Sequence, residues 1–219
     1  MGVQSHFVFV AGGTGFMGRP LIARLVERGH KVRALVRPGS EEKLPAGCIP
    51  VKGDALDSAT YVDQIPPADT FVQLVGVAHP SPRKAAQFRE IDLRAGLGAV
   101  EAAHRAGIRH FVYLSVGQPA PIMKDYIAVR AECETAIRSA GLNATILRPW
   151  YVLGPGHRWP YLLVPVYKLA ELFPQTREGA LRLGLVTIDQ MVTALTSAVE
   201  HPGCGTRIMS APEIRTARV

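Results

Sequence analysis

Along the first two-thirds of the chain, short apolar runs alternate with longer stretches in which apolar residues recur at helical spacing. The runs at 6–11, 31–36, 48–52, 70–75, 111–115 and 144–147 predict six strands. Between them, 17–28 predicts a helix with Leu21, Leu25 and Val26 on its inner side, and 85–106 predicts a long one. A further helix over 126–140 is stopped by Gly141, a natural C-terminal cap. Strands separated by helices imply a parallel sheet covered on both faces and joined by right-handed crossovers. From Trp150 the pattern loosens into prolines, aromatics and short helices. That change predicts a small C-terminal cap lobe over the strand ends at 150–185, within a single α/β domain spanning 1–219.

Composition agrees with this picture and narrows it. A chain of 219 residues, 47% hydrophobic and 20% charged, has room for one α/β domain but not two independent ones. The net charge of +7 favours an anionic ligand or partner. No nucleic-acid motif accompanies the charge, so a phosphate-rich cofactor is the expected use of it and nucleic acid is not. The stretch 161–173 is the most membrane-like, but Leu162, Val166, Leu169 and Phe173 repeat at helical spacing and predict a helix packed on its own protein. No membrane association is expected. Cys48, Cys133 and Cys204 are odd in number and far apart, fitting neither a zinc site nor a disulfide framework, and so predict a reducing cytoplasm.

The sharpest signal is Gly12-Gly13-Thr14-Gly15-Phe16-Met17-Gly18, which follows the first strand and opens the first helix. Gly12 suits a tight turn, Gly15 close approach of the backbone to a pyrophosphate, and Gly18 close packing of helix on strand. The helix N-terminus offers unpaired N–H groups and a partial positive charge to phosphates. The intervening Gly13, Thr14, Phe16 and Met17 belong to the same expected cradle for a nicotinamide dinucleotide. About twenty residues on, where an NAD site places a carboxylate, the second strand ends at Arg37, with Arg33 before it and Lys43 beyond. A guanidinium suits a 2′-phosphate and points to NADP(H), with NAD as the other possibility. In the alternative reading Arg37 is a solvated surface residue and Glu41 or Glu42 meets the ribose.

These residues, with Gly53-Asp54-Ala55-Leu56-Asp57, Leu74-Val75-Gly76, Tyr113-Leu114-Ser115, Tyr126-x-x-x-Arg130 and Leu147-Arg148-Pro149, resemble the atypical and extended short-chain dehydrogenase/reductases. The likeness is greatest to the NAD(P)H-binding, NmrA-like and complex-I-subunit-like groups, and runs from about residue 5 to 215, ending with Val186-Thr187-Ile188-Asp189-Gln190. It implies a Rossmann-type doubly wound sheet. It also implies that Asp54 and Ala55 flank the adenine, that Val75 and Gly76 lie along the cofactor, and that Pro149 to Val152 approach the nicotinamide. Tyr126 becomes the general acid/base and Ser115 the group that polarises the substrate oxygen. Arg130 replaces the lysine that in active relatives holds the nicotinamide ribose and lowers the tyrosine pKa. Arginine keeps the charge without the compact ammonium geometry. For each of the three a plainer role stays open: Tyr126 as a buried helix residue with its hydroxyl satisfied locally, Arg130 in a surface salt bridge with Glu134, and Ser115 capping its strand. The resemblance further implies a homodimer through the helices at 85–106 and 126–140.

Other features carry less chemistry. The seven histidines show no metal-ligand spacing, so no metal is expected. His79 follows the fourth strand on the cofactor side, and His157 lies in a loop rich in glycine, proline and aromatics. Trp150, Tyr151, Trp159 and Tyr161 could line an apolar substrate pocket or form the core of the small lobe. No nucleophile elbow of a hydrolase appears. Two functions follow: an NADP(H)-dependent oxidoreductase acting on a small carbonyl or hydroxyl substrate, or a non-catalytic protein that senses the nicotinamide pool or supports a larger complex. A nucleotide-sugar epimerase or dehydratase is a weaker third, because little chain remains for a sugar-nucleotide domain.

Overall fold

The computed structural model describes residues 5–155 and 173–219. Seven parallel strands form one sheet in the order β3-β2-β1-β4-β5-β6-β9. They are β1 (Phe7–Ala11), β2 (Lys31–Val36), β3 (Cys48–Lys52), β4 (Thr70–Gln73), β5 (His110–Leu114), β6 (Ala144–Arg148) and β9 (Thr206–Ser210). A separate two-stranded ribbon pairs β7 (Val152–Leu153) with β8 (Val186–Thr187). The helices are α1 (Gly18–Glu27), α2 (Ala85–Gln87), α3 (Arg94–Arg105), α4 (Lys124–Ser139), α5 (Pro174–Arg182), α6 (Ile188–Glu200) and α7 (Ala211–Thr216).

Alternation along each strand builds two cores. Val8, Val10, Val72 and Val112 face one layer, where Leu21, Ile22 and Leu25 of α1 and Met191, Leu195 and Val199 of α6 cover them. Phe9, Phe71, Phe111 and Tyr113 face the other, beneath α3 and α4. Register places Phe9 beside Phe71 and Phe71 beside Phe111, with ring centroids 5.1 and 5.3 Å apart. Each fully buried aromatic contributes roughly 1.5–3 kcal/mol relative to exposure.

Because α1 and α3 cover opposite faces, the chain reverses direction across the sheet between β1 and β4. The crevice at the carboxyl ends of those strands is the switch point at which open α/β sheets bind ligands.

The six expected strands form, with ends shifted by a residue or two. The largest shift is at β4, which stops at Gln73 rather than 75. After Leu74 N–H bonds to the Ala11 carbonyl at 2.9 Å, the chain leaves the ladder. The helix expected over 85–106 is interrupted by a six-residue π-helical segment, Phe88–Leu93, that buries Phe88, Asp92 and Leu93. Beyond the 150–185 segment the sequence pattern offers no further strand, and one forms. After α6, β9 returns to the sheet beside β6, so the C-terminal segment supplies a seventh strand. The helix expected over 161–173, and His157, Trp159 and Tyr161, lie outside the described residues. Among those described, no helix is long and apolar enough to cross a membrane.

Candidate active site

The loop between β1 and α1 is shaped by contacts that leave no room for side chains. Gly12 has φ +89°, and a methyl group there would lie 3.0 Å from the backbone at Leu74 and Val75. A methyl on Gly18 would come within 2.2 Å of the Gly12 carbonyl oxygen, and one on Gly13 within 2.8 Å of Ala34 Cβ. The loop is thus pressed between β2, β4 and the start of α1, and Gly15 N–H donates back to the Gly12 carbonyl at 3.1 Å. No side chain caps α1 and no acidic residue occupies its first turn. Its leading amides keep their partial positive charge for an anion. Thr14 is half-buried, while Gly15 and Phe16 are exposed beside it.

Arg37, directly after β2, is exposed. Glu41, the acidic alternative, is drawn to the neighbouring strand by Lys52 at 3.1 Å. Its own backbone amide and then the Lys52 ammonium hold its carboxyl below the usual range. Asp54 accepts the Leu56 amide at 2.9 Å and Asp57 accepts the Ala59 amide at 3.1 Å, so both carboxylates brace the turn after β3. Ala55 is half-buried against the aromatic core, as are Val75, Val77, Met123 and Tyr126. These residues, from the exits of β3 and β4 and the start of α4, all pack on that one core cluster.

The Tyr126–Arg130 pair lies on α4, one helical turn apart, with the Arg130 Cζ 5.1 Å from the tyrosine ring centre. Tyr126 is half-buried and packs on Phe88 at 4.8 Å. Arg130 is not at the surface and does not meet Glu134. It is buried and donates through Nη2 to Asp92 at 2.5 Å and through Nη1 to the Leu114 carbonyl at 2.9 Å. Its Nε alone is buried without a partner among the described residues. Burial opposes the arginine charge, but Tyr126, Tyr113 and Asp92 outweigh it and hold the group firmly protonated. Asp92 passes its second oxygen to the Val77 amide at 3.0 Å, while burial pushes its carboxyl upward against the pull of Arg130. Gly76 makes room for this pair: a methyl there would lie 2.3 Å from Arg130 Nη2.

Ser115 is buried, and its hydroxyl donates to Glu134 at 2.6 Å, so its one proton is engaged inside the protein. Glu134 is a hub that also accepts from Gln118 Nε2 at 2.9 Å, Arg138 at 3.0 Å and Arg148 in a bidentate contact. Burial raises its pKa, but the Arg148 and Ser115 bonds more than reverse the effect, leaving it low. Pro149 is buried and accepts the Gly117 amide at 2.7 Å, while Trp150, Tyr151 and Val152 are half-buried. Trp150 and Tyr151 meet edge to face at 5.6 Å. His79 sits exposed with φ +50° after β4. Among the described residues no group of His, Cys, Asp and Glu side chains could hold a metal ion.

Sequence reasoning missed Asp92, whose signal was an acid within the apolar face of a helix, four residues after Phe88. It also missed the hub at Glu134, signalled by the repeat of Tyr126, Arg130 and Glu134 at four-residue spacing on one helix face.

Comparison with known proteins agrees with this geometry. A family model described as NAD(P)H-binding matches residues 12–159. A 3-diazoavenalumate denitrifying reductase from Streptomyces is 30% identical over 225 residues, covering 90% of this chain and 73% of that one. A ceramide reductase from Caulobacter vibrioides is 26% identical over 201 residues, covering 90% of this chain but 62% of its own length. The enzyme WbmH of Bordetella bronchiseptica, solved with NAD+, shares the fold at a TM-score of 0.71 and 21% identity, covering 95% of this chain and 76% of that one.

Proposed function

Since the chain belongs to the NAD(P)H-binding family of the short-chain dehydrogenase/reductase superfamily, we propose that it is an NADP(H)-dependent oxidoreductase acting on a small carbonyl or hydroxyl substrate. The observation that carries this reading is a shared core. Val75 and Val77, from the strand exit against the glycine loop, and Tyr126 from α4 rest on the same core cluster. The half-buried phenol thus packs on the same core as the strand exit that lies against the phosphate loop. The cradle fits the dinucleotide, since its glycines leave no room for side chains and the start of α1 is uncapped. Gly12 to Met17 would hold the pyrophosphate, Asp54 and Ala55 would flank the adenine, and Pro149 and Val152 would border the nicotinamide. Arg37, exposed and without a partner among the described residues, would take the 2′-phosphate.

When bound, the reduced nicotinamide supplies a hydride. The Tyr126 hydroxyl gives its proton to the substrate oxygen and regains one from solvent, so that a carbonyl becomes an alcohol as the cofactor is oxidised. Ser115, its proton engaged by Glu134, would set the position of the strand exit and accept a hydrogen bond rather than donate one. Both named relatives are reductases, which supports the direction of the reaction.

A second reading, a cofactor-binding protein without catalysis, is favoured by Arg130, whose terminal nitrogens are turned to Asp92 and Leu114 rather than outward. NADPH consumption with a panel of neutral ketones and aldehydes separates the two. The oxidoreductase reading expects turnover that falls at least a hundredfold in Tyr126→Phe while NADPH affinity stays within threefold. Tight NADPH binding with no turnover of any carbonyl would overturn it in favour of the second.

A further inference from the structure

We infer that Asp92 is a positioning residue: acting through Arg130, it braces the Tyr126 phenol against the exit of β4, and Arg130 serves that brace without touching the cofactor. The catalytic part of this rests on the oxidoreductase reading, in which Tyr126 moves the proton. Four consecutive residues at the strand exit are held one after another. Leu74 N–H bonds to the Ala11 carbonyl at 2.9 Å, and a methyl on Gly12 would lie 3.0 Å from the backbone of Leu74 and Val75. Gly76 rests on the ion pair, since a methyl there would lie 2.3 Å from Arg130 Nη2 and 2.8 Å from Asp92 Oδ1. Val77 N–H then donates to the other Asp92 oxygen at 3.0 Å. One carboxylate thus serves the strand exit through one oxygen and the guanidinium through the other.

From the guanidinium the brace continues to the phenol. Arg130 Cζ lies over the Tyr126 ring at 5.1 Å from its centre, a cation–π contact within one turn of α4. Phe88 packs on the same ring at 4.8 Å and comes from the π-helical segment that supplies Asp92 four residues later. Such interruptions of a helix recur at functional positions. Arg130 is also held by the Leu114 carbonyl at 2.9 Å and the Tyr113 hydroxyl at 3.4 Å. It is 3% exposed, Asp92 is fully buried, and the Arg130 Nε is buried as well. To hold a nicotinamide ribose, the guanidinium would have to leave a carboxylate that has no access to water, stranding its charge. Tyr126 is only half-buried, so of the pair on α4 the tyrosine is the one a ligand can reach.

The test compares wild type with Asp92→Leu, Arg130→Met, the double variant Asp92→Leu/Arg130→Met, and Asp92→Asn, which keeps the shape but only one acceptor for two donors. Each protein is titrated with NADPH and assayed on the ketone or aldehyde that wild type reduces fastest. Each is also labelled with 3-fluorotyrosine, the Tyr126 line being assigned by its loss in Tyr126→Phe. Asp92→Leu should lower kcat by about tenfold to a hundredfold while KM stays within about threefold. Asp92→Asn should lose less and should move the Tyr126 fluorine line. In the Arg130→Met background, adding Asp92→Leu should change kcat by no more than about twofold and leave that line in place, because Asp92 acts through the arginine. The double variant should bind NADPH within about threefold of wild type, where a lost ribose contact would cost about tenfold or more. That tenfold loss, a double variant with wild-type kcat, or an effect of Asp92 that persists without Arg130 would each overturn the inference. Should Asp92→Leu not fold, Asp92→Asn and Arg130→Met carry the same comparison. A wild type that reduces no carbonyl would refute the oxidoreductase reading, and the fluorine line and the NADPH titration would then still decide for or against the brace.

Discussion

Asp92 and Arg130 form a buried ion pair directly beneath Gly76, with Asp92 holding the arginine through one oxygen and the Val77 amide through the other. The pair joins the π-helical segment, α4 and the exit of β4 into one unit. It also explains how an arginine fits a position where relatives are expected to carry lysine: the longer side chain is drawn inward to a carboxylate supplied 38 residues earlier.

Removing one member of a buried pair leaves the other charged and unanswered. Asp92→Leu and Arg130→Met alone should therefore each lower stability by about 3–5 kcal/mol. The double variant Asp92→Leu/Arg130→Met should lose much less than the sum of its single changes. Urea unfolding of the four proteins checks this, and additive losses would show that the two residues do not act as a pair.

Gly18→Ala pushes a methyl into the Gly12 carbonyl, a backbone clash that no rotamer change relieves. The variant should lose NADPH binding and about 1–3 kcal/mol of stability. Gly141→Ala provides the contrast, because φ there is +67° but nothing lies within reach of the new methyl. It should cost roughly 1 kcal/mol and leave NADPH affinity unchanged. Fluorescence titration and thermal melts distinguish the two.

Acid should weaken the fold in two windows. His110 is buried, which lowers its pKa to about 4 from 6.5. Between those values the unfolded chain binds the extra proton, so stability falls as pH drops from 6.5 towards 4, by about 3 kcal/mol in all. His110→Gln should flatten that slope. Glu134 has a lowered pKa, so its contribution is complete above the unfolded value of 4.5 and is lost as pH falls below it. Glu134→Gln should weaken the protein at neutral pH and remove part of the decline below 4.5. Melting temperatures from pH 3 to 8 report both effects, and an unchanged slope in either variant would refute that assignment.

Features that depend on neighbours in the chain were legible in the sequence. The glycine loop is local backbone geometry, so its spacing was enough to place it, and five of the six strands stood out because buried parallel strands are continuous apolar runs, while the exposed edge strand β3 was carried by its Cys48-Ile49-Pro50-Val51 run alone. The edge strand β9 escaped because Thr206, Arg207 and Ile208 are exposed and only Met209 is buried, leaving no such run. Partner choice in the site was not legible for a different reason. Tyr126-x-x-x-Arg130 fixes which side chains share a helix face but not where a long guanidinium turns, and Asp92 and Glu134 look like ordinary polar helix positions until the fold buries them. Arg37 is intermediate: its place at the end of β2 was clear, and its exposure adds only that nothing described competes for it.

Titrating NADPH and NADH into wild-type protein and Arg37→Ala tests the proposed nicotinamide site and the grip of Arg37 on the 2′-phosphate. A hydrogen bond to a charged group contributes about 1.5–3 kcal/mol, or roughly tenfold to a hundredfold in affinity. NADPH should bind the wild type more tightly than NADH by that factor, and Arg37→Ala should erase the difference by weakening NADPH alone. Equal affinities that the substitution leaves untouched would contradict the NADP(H) assignment, and failure to bind either nucleotide would contradict the nicotinamide site itself.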